Sequence, residues 1–367
     1  MALAVTKSSG LSRVSDVSLP AVFLVGLMSG VAVLAIIVVL SPLAARLGLE
    51  DHSDGRKRHG DPVPMVGGLA LFVVFIVAVL IAAPPIKLTW MLVATSLIVV
   101  VGFLDDVFEL GAKVRLVAQV VATLLMILGA GLWIRTLGIP VMGLDELGLA
   151  GGVLTLFAVV SLTNAFNMID GMDGLAAGHV LVAVGLMATT MGLLNGIVEQ
   201  ALWLGLFASA VAMFWLVNMS LTPLRKVFLG DAGSLLLGFV VAWMLIYYTQ
   251  EPVSALWPVA TIWCVTIPVF DTVVVVARRI RSGQSALSAD RNHLHHILLD
   301  MGMRPRTALC CMLGLSTLTG AAGIAVTYLV SPSAGLILFM GLLVVYAYLL
   351  LHPELDRRLA RWLHLLD

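Results

Sequence analysis

Asn164-Ala-Phe-Asn167-Met-Ile-Asp170-Gly-Met-Asp173-Gly174 carries a carboxamide or carboxylate at every third position. As a helix, or as a tight turn with left-handed glycines, it brings the four polar side chains toward one face, where they can coordinate a cation or read a base and a sugar. The bland alternative is a hydrogen-bonded loop. A second acidic group, Asp105-Asp106, ends an apolar run and is followed by Lys113 and Arg115. Adjacent carboxylates repel, and a divalent cation or a captured proton relieves the repulsion, although two solvated boundary residues would look the same. Phe228-Leu-Gly230-Asp231-Ala-Gly233-Ser234 reads either as an ordinary helix cap or as a glycine-rich helix start that approaches a phosphate. On the second reading Asp231 holds a metal and Phe228 offers a ring to a base.

Asp290-Arg291-Asn292-His293-Leu-His295-His296 gathers three imidazoles and a guanidinium. Zinc would ask for cysteines or a second histidine cluster, but Cys264, Cys310 and Cys311 all lie in apolar runs. The histidines therefore read as hydrogen-bond donors to phosphate oxygens. Arg278, Arg279 and Arg281 just upstream read as topogenic residues on anionic lipid head groups. Asp271, three residues after Pro268 inside an apolar run, is a functional candidate, with pairing to Arg278 or to a freed backbone group as the alternative. His179 reads as a satisfied helix residue. Gly67-Gly68, after Pro62 and Pro64, reads as a turn or a tight helix contact, and Arg56, Lys57, Arg58 and His59 as topogenic or phosphate-facing.

Membrane helices must position these groups. Hydrophobic residues make up 60% of the 367 and charged ones 11%, far from the roughly 45–50% and 25% of a soluble domain. The 21 Lys and Arg balance 21 Asp and Glu, so no basic field is offered to a nucleic acid. The apolar runs are continuous rather than alternating, which predicts helices and not barrel strands. Eleven are long enough to span, near 20–40, 66–83, 88–104, 116–134, 148–166, 175–194, 201–217, 231–248, 255–276, 307–330 and 333–351. The first exceeds the roughly 7–15 residues of a signal-peptide core and is read as a retained span. With the N-terminus outside and the C-terminus in the cytoplasm, 17 of the 21 Lys and Arg fall on the inside.

Every polar cluster then also lies inside, at helix ends. A transporter would more often place ionisable groups near the bilayer midplane. The expected organisation is an outer segment at 1–19, a polytopic all-α domain at 20–351, and an amphipathic cytoplasmic helix at 352–367. Leu355, Leu359, Trp362, Leu363 and Leu366 line one face of that helix, with Arg357, Arg358 and Arg361 between them.

Six segments in order carry a family resemblance: Pro64-Met-Val-Gly-Gly68, Asp105-Asp106, Asn164 to Gly174, Phe228 to Ser234, Pro268 to Asp271 and Asp290 to His296. Together they resemble the polyprenyl-phosphate N-acetylhexosamine-1-phosphate transferases, nearest to the bacterial branch that joins GlcNAc-1-phosphate to undecaprenyl phosphate. The run His293-Leu294-His295-His296, in place of three consecutive histidines, is similar to that branch rather than to the one that transfers phospho-MurNAc-pentapeptide. Other UDP-HexNAc donors stay open.

The resemblance implies a Mg²⁺-dependent enzyme, Mn²⁺ being the alternative, in the bacterial inner membrane. The phosphate of the lipid carrier would attack the β-phosphorus of UDP-GlcNAc on the cytoplasmic side, in the first membrane step of a cell-envelope glycan pathway. It implies Asp231 and Asn167 as metal ligands, and Asp105, supported by Asp106, as base or positioning group for the lipid phosphate. Asp170, Asp173, Phe228 and Asn164 would contact the nucleotide, and Lys113, Arg115, Arg291, His293, His295 and His296 the phosphates and sugar. Direct displacement and a covalent aspartyl intermediate both stay open. So does a homodimer, beside membrane lipids as partners. A lipid or sugar carrier without chemistry would have no need for so many acids at helix ends.

Overall fold

The structure, a computed structural model, describes residues 19–51, 62–81, 86–139, 146–250, 253–285 and 293–351. The segments expected at 1–18 and 352–367, the basic run Arg56 to His59, and Asp290 and Arg291 lie outside these residues. Among the described residues the regular structure is all helical apart from one small ladder. Helix α1 (Leu19–Leu40) passes through a single 3₁₀ turn into α2 (Ala44–Leu47). Strand β1 (Glu50–Asp51) then pairs antiparallel with β2 (Val63–Pro64), Glu50 opposite Pro64. There follow α3 (Gly67–Ile81), α4 (Ile86–Phe108), α5 (Ala112–Leu124), α6 (Gly148–Ile169), α7 (Leu175–Thr189), α8 (Val198–Asn218) and α9 (Gly230–Tyr247). The chain ends with α10 (Pro258–Trp263), α11 (Thr266–Arg281), α12 (Leu294–Asp300), α13 (Pro305–Leu329) and α14 (Pro332–Leu351). Wider π-helical turns at Leu125–Gly129 and Thr190–Leu194 lengthen α5 and α7.

Among the described residues, nine helices are long and apolar enough to cross a membrane, those built on α1, α4, α5, α6, α7, α8, α9, α13 and α14. The protein is a multi-pass membrane protein. Two of the eleven expected runs take other forms. The run at 66–83 is α3, whose 15 residues reach about 22 Å at 1.5 Å each. The run at 255–276 is broken into α10 and α11 at Cys264 and Val265. Pro268 has no N–H to return to the Cys264 carbonyl, and the Thr266 hydroxyl instead bonds the Trp263 carbonyl at 2.7 Å, so the helix restarts there.

Helix α9 is the core of the bundle. Every residue from Ala232 to Trp243 is buried, with α3, α4, α6 and α7 packed around it. At the other extreme, α14 buries only Gly335 and Phe339 and leaves Ile337, Val344 and Tyr348 exposed, as a lipid-facing helix would. Helices packed in lipid gain little from apolar burial against one another, so close contact has to come from small residues. A Cβ on Gly68 of α3 would lie 2.3 Å from the Gly233 Cα, and one on Gly102 of α4 would lie 2.5 Å from the Ala232 Cα. The first turn of α9 is thus gripped from two sides. The strand end adds backbone bonds: Phe228 N–H to the Pro64 carbonyl at 2.8 Å, Gly67 N–H to the Phe228 carbonyl at 3.0 Å and Gly68 N–H to the Leu229 carbonyl at 2.9 Å. Pro64 to Gly68 is therefore the scaffold for the Phe228 to Asp231 turn.

Gly68→Ala forces two backbones apart, and overpacking of this kind costs about 1–3 kcal/mol. It should lower the thermal midpoint in detergent, whereas Gly152→Ala, with nothing within 4 Å of the added methyl, should not.

Candidate active site

The helix ends that carry the polar motifs meet at one end of the bundle, and Arg115 ties them together. Its Nη1 donates to Asp105 Oδ2 at 2.6 Å and to Asp231 Oδ2 at 2.8 Å, joining the start of α5 to the end of α4 and the start of α9. Asp105 is buried, while Asp231 and Arg115 are partly open to solvent. Asn167, in the last turn of α6, donates from Nδ2 to Asp231 Oδ1 at 2.6 Å and to Ser234 Oγ at 2.9 Å.

Asp106 has a different task from its neighbour. Its Oδ1 accepts the Asp231 backbone N–H at 2.6 Å and its Oδ2 accepts that of Ala232 at 3.1 Å. It caps α9 from another helix, supplying acceptors to amides that have no partner within α9. Gly230, at φ +72°, makes room for it, since a Cβ there would sit 2.7 Å from Asp106 Oδ2.

The four regularly spaced polar residues meet four different surroundings. Asn164 exchanges amide hydrogen bonds with Gln119 of α5. Asn167 turns to Asp231. Asp173 accepts a 2.6 Å bond from Lys226, whose ammonium also lies 4.7 Å from the Phe228 ring centroid. Asp170, just past the end of α6, is surrounded by negative charge. Burial, then the carboxylates of Asp231, Asp106 and Asp173, push its carboxyl up to about 8. Asn218 holds this turn in place by accepting the Gly174 N–H at 2.6 Å and donating to the Val227 carbonyl at 2.9 Å.

Gln119, Lys226 and Asn218 were not among the residues expected from sequence. Each could have been found as a polar side chain within or beside an apolar run near a motif. Lys113 is exposed, two residues before Arg115.

The histidines stand on α12. His293 Nδ1 lies 2.7 Å from Asp271 Oδ2, and the Leu294 backbone N–H donates to Asp271 Oδ1 at 2.8 Å. His295 is fully buried, and neither ring nitrogen has a hydrogen-bond partner among the described residues. Burial, then the rings of His296 and His293, hold its pKa down at about 4, so it is neutral. The ring lies over Gly171, where a Cβ would come within 2.6 Å of its Nε2. The histidine segment is thereby packed on the Asp170 to Asp173 turn. The His296 ring lies close by, its centroid 4.1 Å from that of His295 and tilted 40° to it.

Among the described residues, no three His, Cys, Asp or Glu side chains form a ready-made metal cage. The donor set nonetheless fits Mg²⁺, which commonly takes one or two carboxylates and completes its shell with water and substrate phosphates. Asp231 offers carboxylate oxygens, and Asn167, donating through Nδ2, keeps its carbonyl oxygen for a cation.

The model of glycosyl transferase family 4 matches residues 88–249, the stretch from α4 to just past α9. Over 325 residues, 86% of this chain and 87% of the relative, the sequence is 36% identical to the undecaprenyl-phosphate alpha-N-acetylglucosaminyl 1-phosphate transferase of Yersinia pestis. The protein of the same name from Escherichia coli K12 is 34% identical over 83% of this chain and 84% of its own length. That of Haemophilus influenzae is 32% identical over 89% and 92%. A polytopic helical bundle with acids, amides and an arginine converging at one end is thereby placed among the membrane transferases. The chain belongs to the undecaprenyl-phosphate alpha-N-acetylglucosaminyl 1-phosphate transferase family.

The raised Asp170 carboxyl gives a pH signature. The folded chain keeps that proton up to about 8, whereas the unfolded chain releases it in the ordinary carboxylate range. Folded protein therefore binds more protons in between, and stability falls as pH rises through that window. Asp170→Asn should flatten this part of the thermal-unfolding profile measured without divalent cations.

Proposed function

We propose that the chain transfers GlcNAc-1-phosphate from UDP-GlcNAc to undecaprenyl phosphate, giving GlcNAc-diphospho-undecaprenol and UMP. The observation that carries this is the Asp105–Arg115–Asp231–Asn167 cluster, in a chain 36% identical over 86% of its length to an enzyme of that name. Phosphoryl transfer asks for alignment and charge neutralisation more than for covalent chemistry. Mg²⁺ or Mn²⁺ held by Asp231 and Asn167 would neutralise the diphosphate as its bond to UMP breaks. Asp105 aligns the lipid phosphate and accepts its proton when it carries one. Arg115 holds Asp105 and Asp231 in register for attack on the β-phosphorus, and Asp106 keeps Asp231 in place by fixing the α9 start.

Asp173 and Phe228 hold the uridine, with Asp170 in the same pocket and Asn164 bracing α6 against α5. Lys226 lies over the Phe228 ring and must leave that face when a base stacks there. Lys113, Arg291 and the histidines contact phosphates and sugar. One substrate is soluble and the other anchored, so a site at the membrane surface is where both can meet. We place it on the cytoplasmic side of a bacterial inner membrane, with eleven passages, N-terminus outside. In that count α3 and the broken α10–α11 pair supply the two passages beyond the nine long helices. The excess of Lys and Arg on the motif side supports this orientation.

Purified protein with undecaprenyl phosphate and Mg²⁺ should release UMP from UDP-GlcNAc, and none from UDP-MurNAc-pentapeptide. Asp231→Asn should abolish turnover and also remove the rise in thermal midpoint that Mg²⁺ produces in the wild type. Near-normal turnover by that variant would leave Asp231 a helix-cap neighbour only.

Orientation is checked by cysteine labelling of intact cells after replacement of the exposed Cys310 and Cys311. Reagent outside should reach position 145 and fail at positions 222 and 285. Labelling at 285 would reverse the map.

A further inference from the structure

Asp271 lies in the middle of α11 and is wholly buried, in a stretch that is otherwise apolar or uncharged from Ile267 to Ala277. A buried carboxylate is costly unless its oxygens are used. Both are used here, and on the same neighbouring segment: Oδ1 by the Leu294 amide at 2.8 Å, Oδ2 by His293 Nδ1 at 2.7 Å. The Tyr346 hydroxyl of α14 approaches Oδ1 at 3.4 Å. Leu294 is the first residue of α12, and His293, its extended N-cap residue, makes no side-chain cap of its own. A carboxylate 23 positions upstream therefore terminates the helix that carries the histidines.

The same contact settles the tautomer of His293. An imidazole is a stronger base than a carboxylate, so the proton shared between them belongs to Nδ1. Nε2 is then the ring's one remaining hydrogen-bonding atom. His295 differs, with neither ring nitrogen hydrogen-bonded among the described residues. His295 instead rests on Gly171, so the position of α12 also sets how the histidines meet the Asp170 to Asp173 turn.

We propose that Asp271 is a positioning residue for the transfer reaction: it seats α12 and fixes His293 as the Nδ1–H form, so that the bare Nε2 accepts a hydrogen bond from a hydroxyl or amide N–H of the donor's amino sugar. The proposal rests on the reading that the histidine segment contacts the donor.

The test uses the full-length enzyme in detergent. Asp271→Asn keeps an acceptor for the Leu294 amide but donates to His293 Nδ1, which forces the ring proton to Nε2. Its kcat/KM for UDP-GlcNAc should fall about 10- to 100-fold, the scale of losing the group that orients a ligating imidazole. The thermal midpoint should stay near that of the wild type. Combined with His293→Ala it should cost nothing further, because both changes remove the same interaction. ¹⁵N spectra of histidine-labelled protein, with His293 assigned by its loss in His293→Gln, should show a protonated Nδ1 in the wild type. Spectra showing a bare Nδ1 in the wild type would overturn the proposal even if Asp271→Asn failed to fold. So would Asp271→Asn kinetics within twofold of wild type beside an impaired His293→Ala. Unchanged kinetics of His293→Ala itself would instead remove the underlying reading of the histidine segment, and the proposal with it.

Discussion

The amides at the start of α9 have no acceptors within their own helix, and the Asp106 carboxylate takes those of Asp231 and Ala232. Much of the site hangs on this cap. It fixes the first turn of the most buried helix against α4, and that turn carries Asp231. Gly230 must be a glycine for the carboxylate to come in, and Gly68 and Gly102 must be glycines for α3 and α4 to lie against the turn. Once the turn is fixed, Arg115 and Asn167 can reach opposite oxygens of one carboxylate, which leaves Asp231 little rotational freedom. Preorganisation of this kind costs nothing at the moment of reaction, because it was established on folding.

The electrostatic balance runs the other way. Asp105, Asp106, Asp170 and Asp231 come together, with Arg115 the cation bonded to two of them. The carboxylates repel one another, and after burial it is Asp231, Asp106 and Asp173 that push the Asp170 carboxyl up to about 8. A divalent cation would convert that liability into affinity, and it would arrive with the negatively charged donor.

Much of this was legible in the residues, but their partners were not. The three-residue spacing from Asn164 to Asp173 marked polar residues near a helix end, but not one shared face. Three residues turn a helix by 300°, so successive members drift around it, and α6 stops at Ile169 before the last two. Asn164 accordingly meets α5, Asn167 meets α9, and Asp173 meets Lys226. Asp105 and Asp106 differ by one residue and about 100° of helix rotation, which sends one to a guanidinium and the other to a helix start. Hydropathy counted the run at 255–276 as one span because it sums residues without seeing where backbone bonds are lost. Pro268 was visible, but the break also needed the Thr266 hydroxyl to occupy the Trp263 carbonyl.

Asp106 and Asp271 use one device twice. Each is a carboxylate on a membrane helix that reaches across to cap a different helix, α9 in one case and α12 in the other. Each capped helix carries a candidate site residue at or beside its start, Asp231 or His293. An exposed helix end could rely on water for its free amides, but an end buried at the edge of a bilayer must find a protein acceptor. A carboxylate is a strong acceptor for an amide, and its own burial is offset by those bonds. The need to satisfy backbone groups near lipid therefore accounts for why acids recur at the ends of these apolar helices. It also means that the chemistry and the fold draw on the same side chains. Within each pair the capping acid is separable from the side chain it steadies, Asp106 from Asp231 and Asp271 from His293, because the cap is bonded to backbone amides.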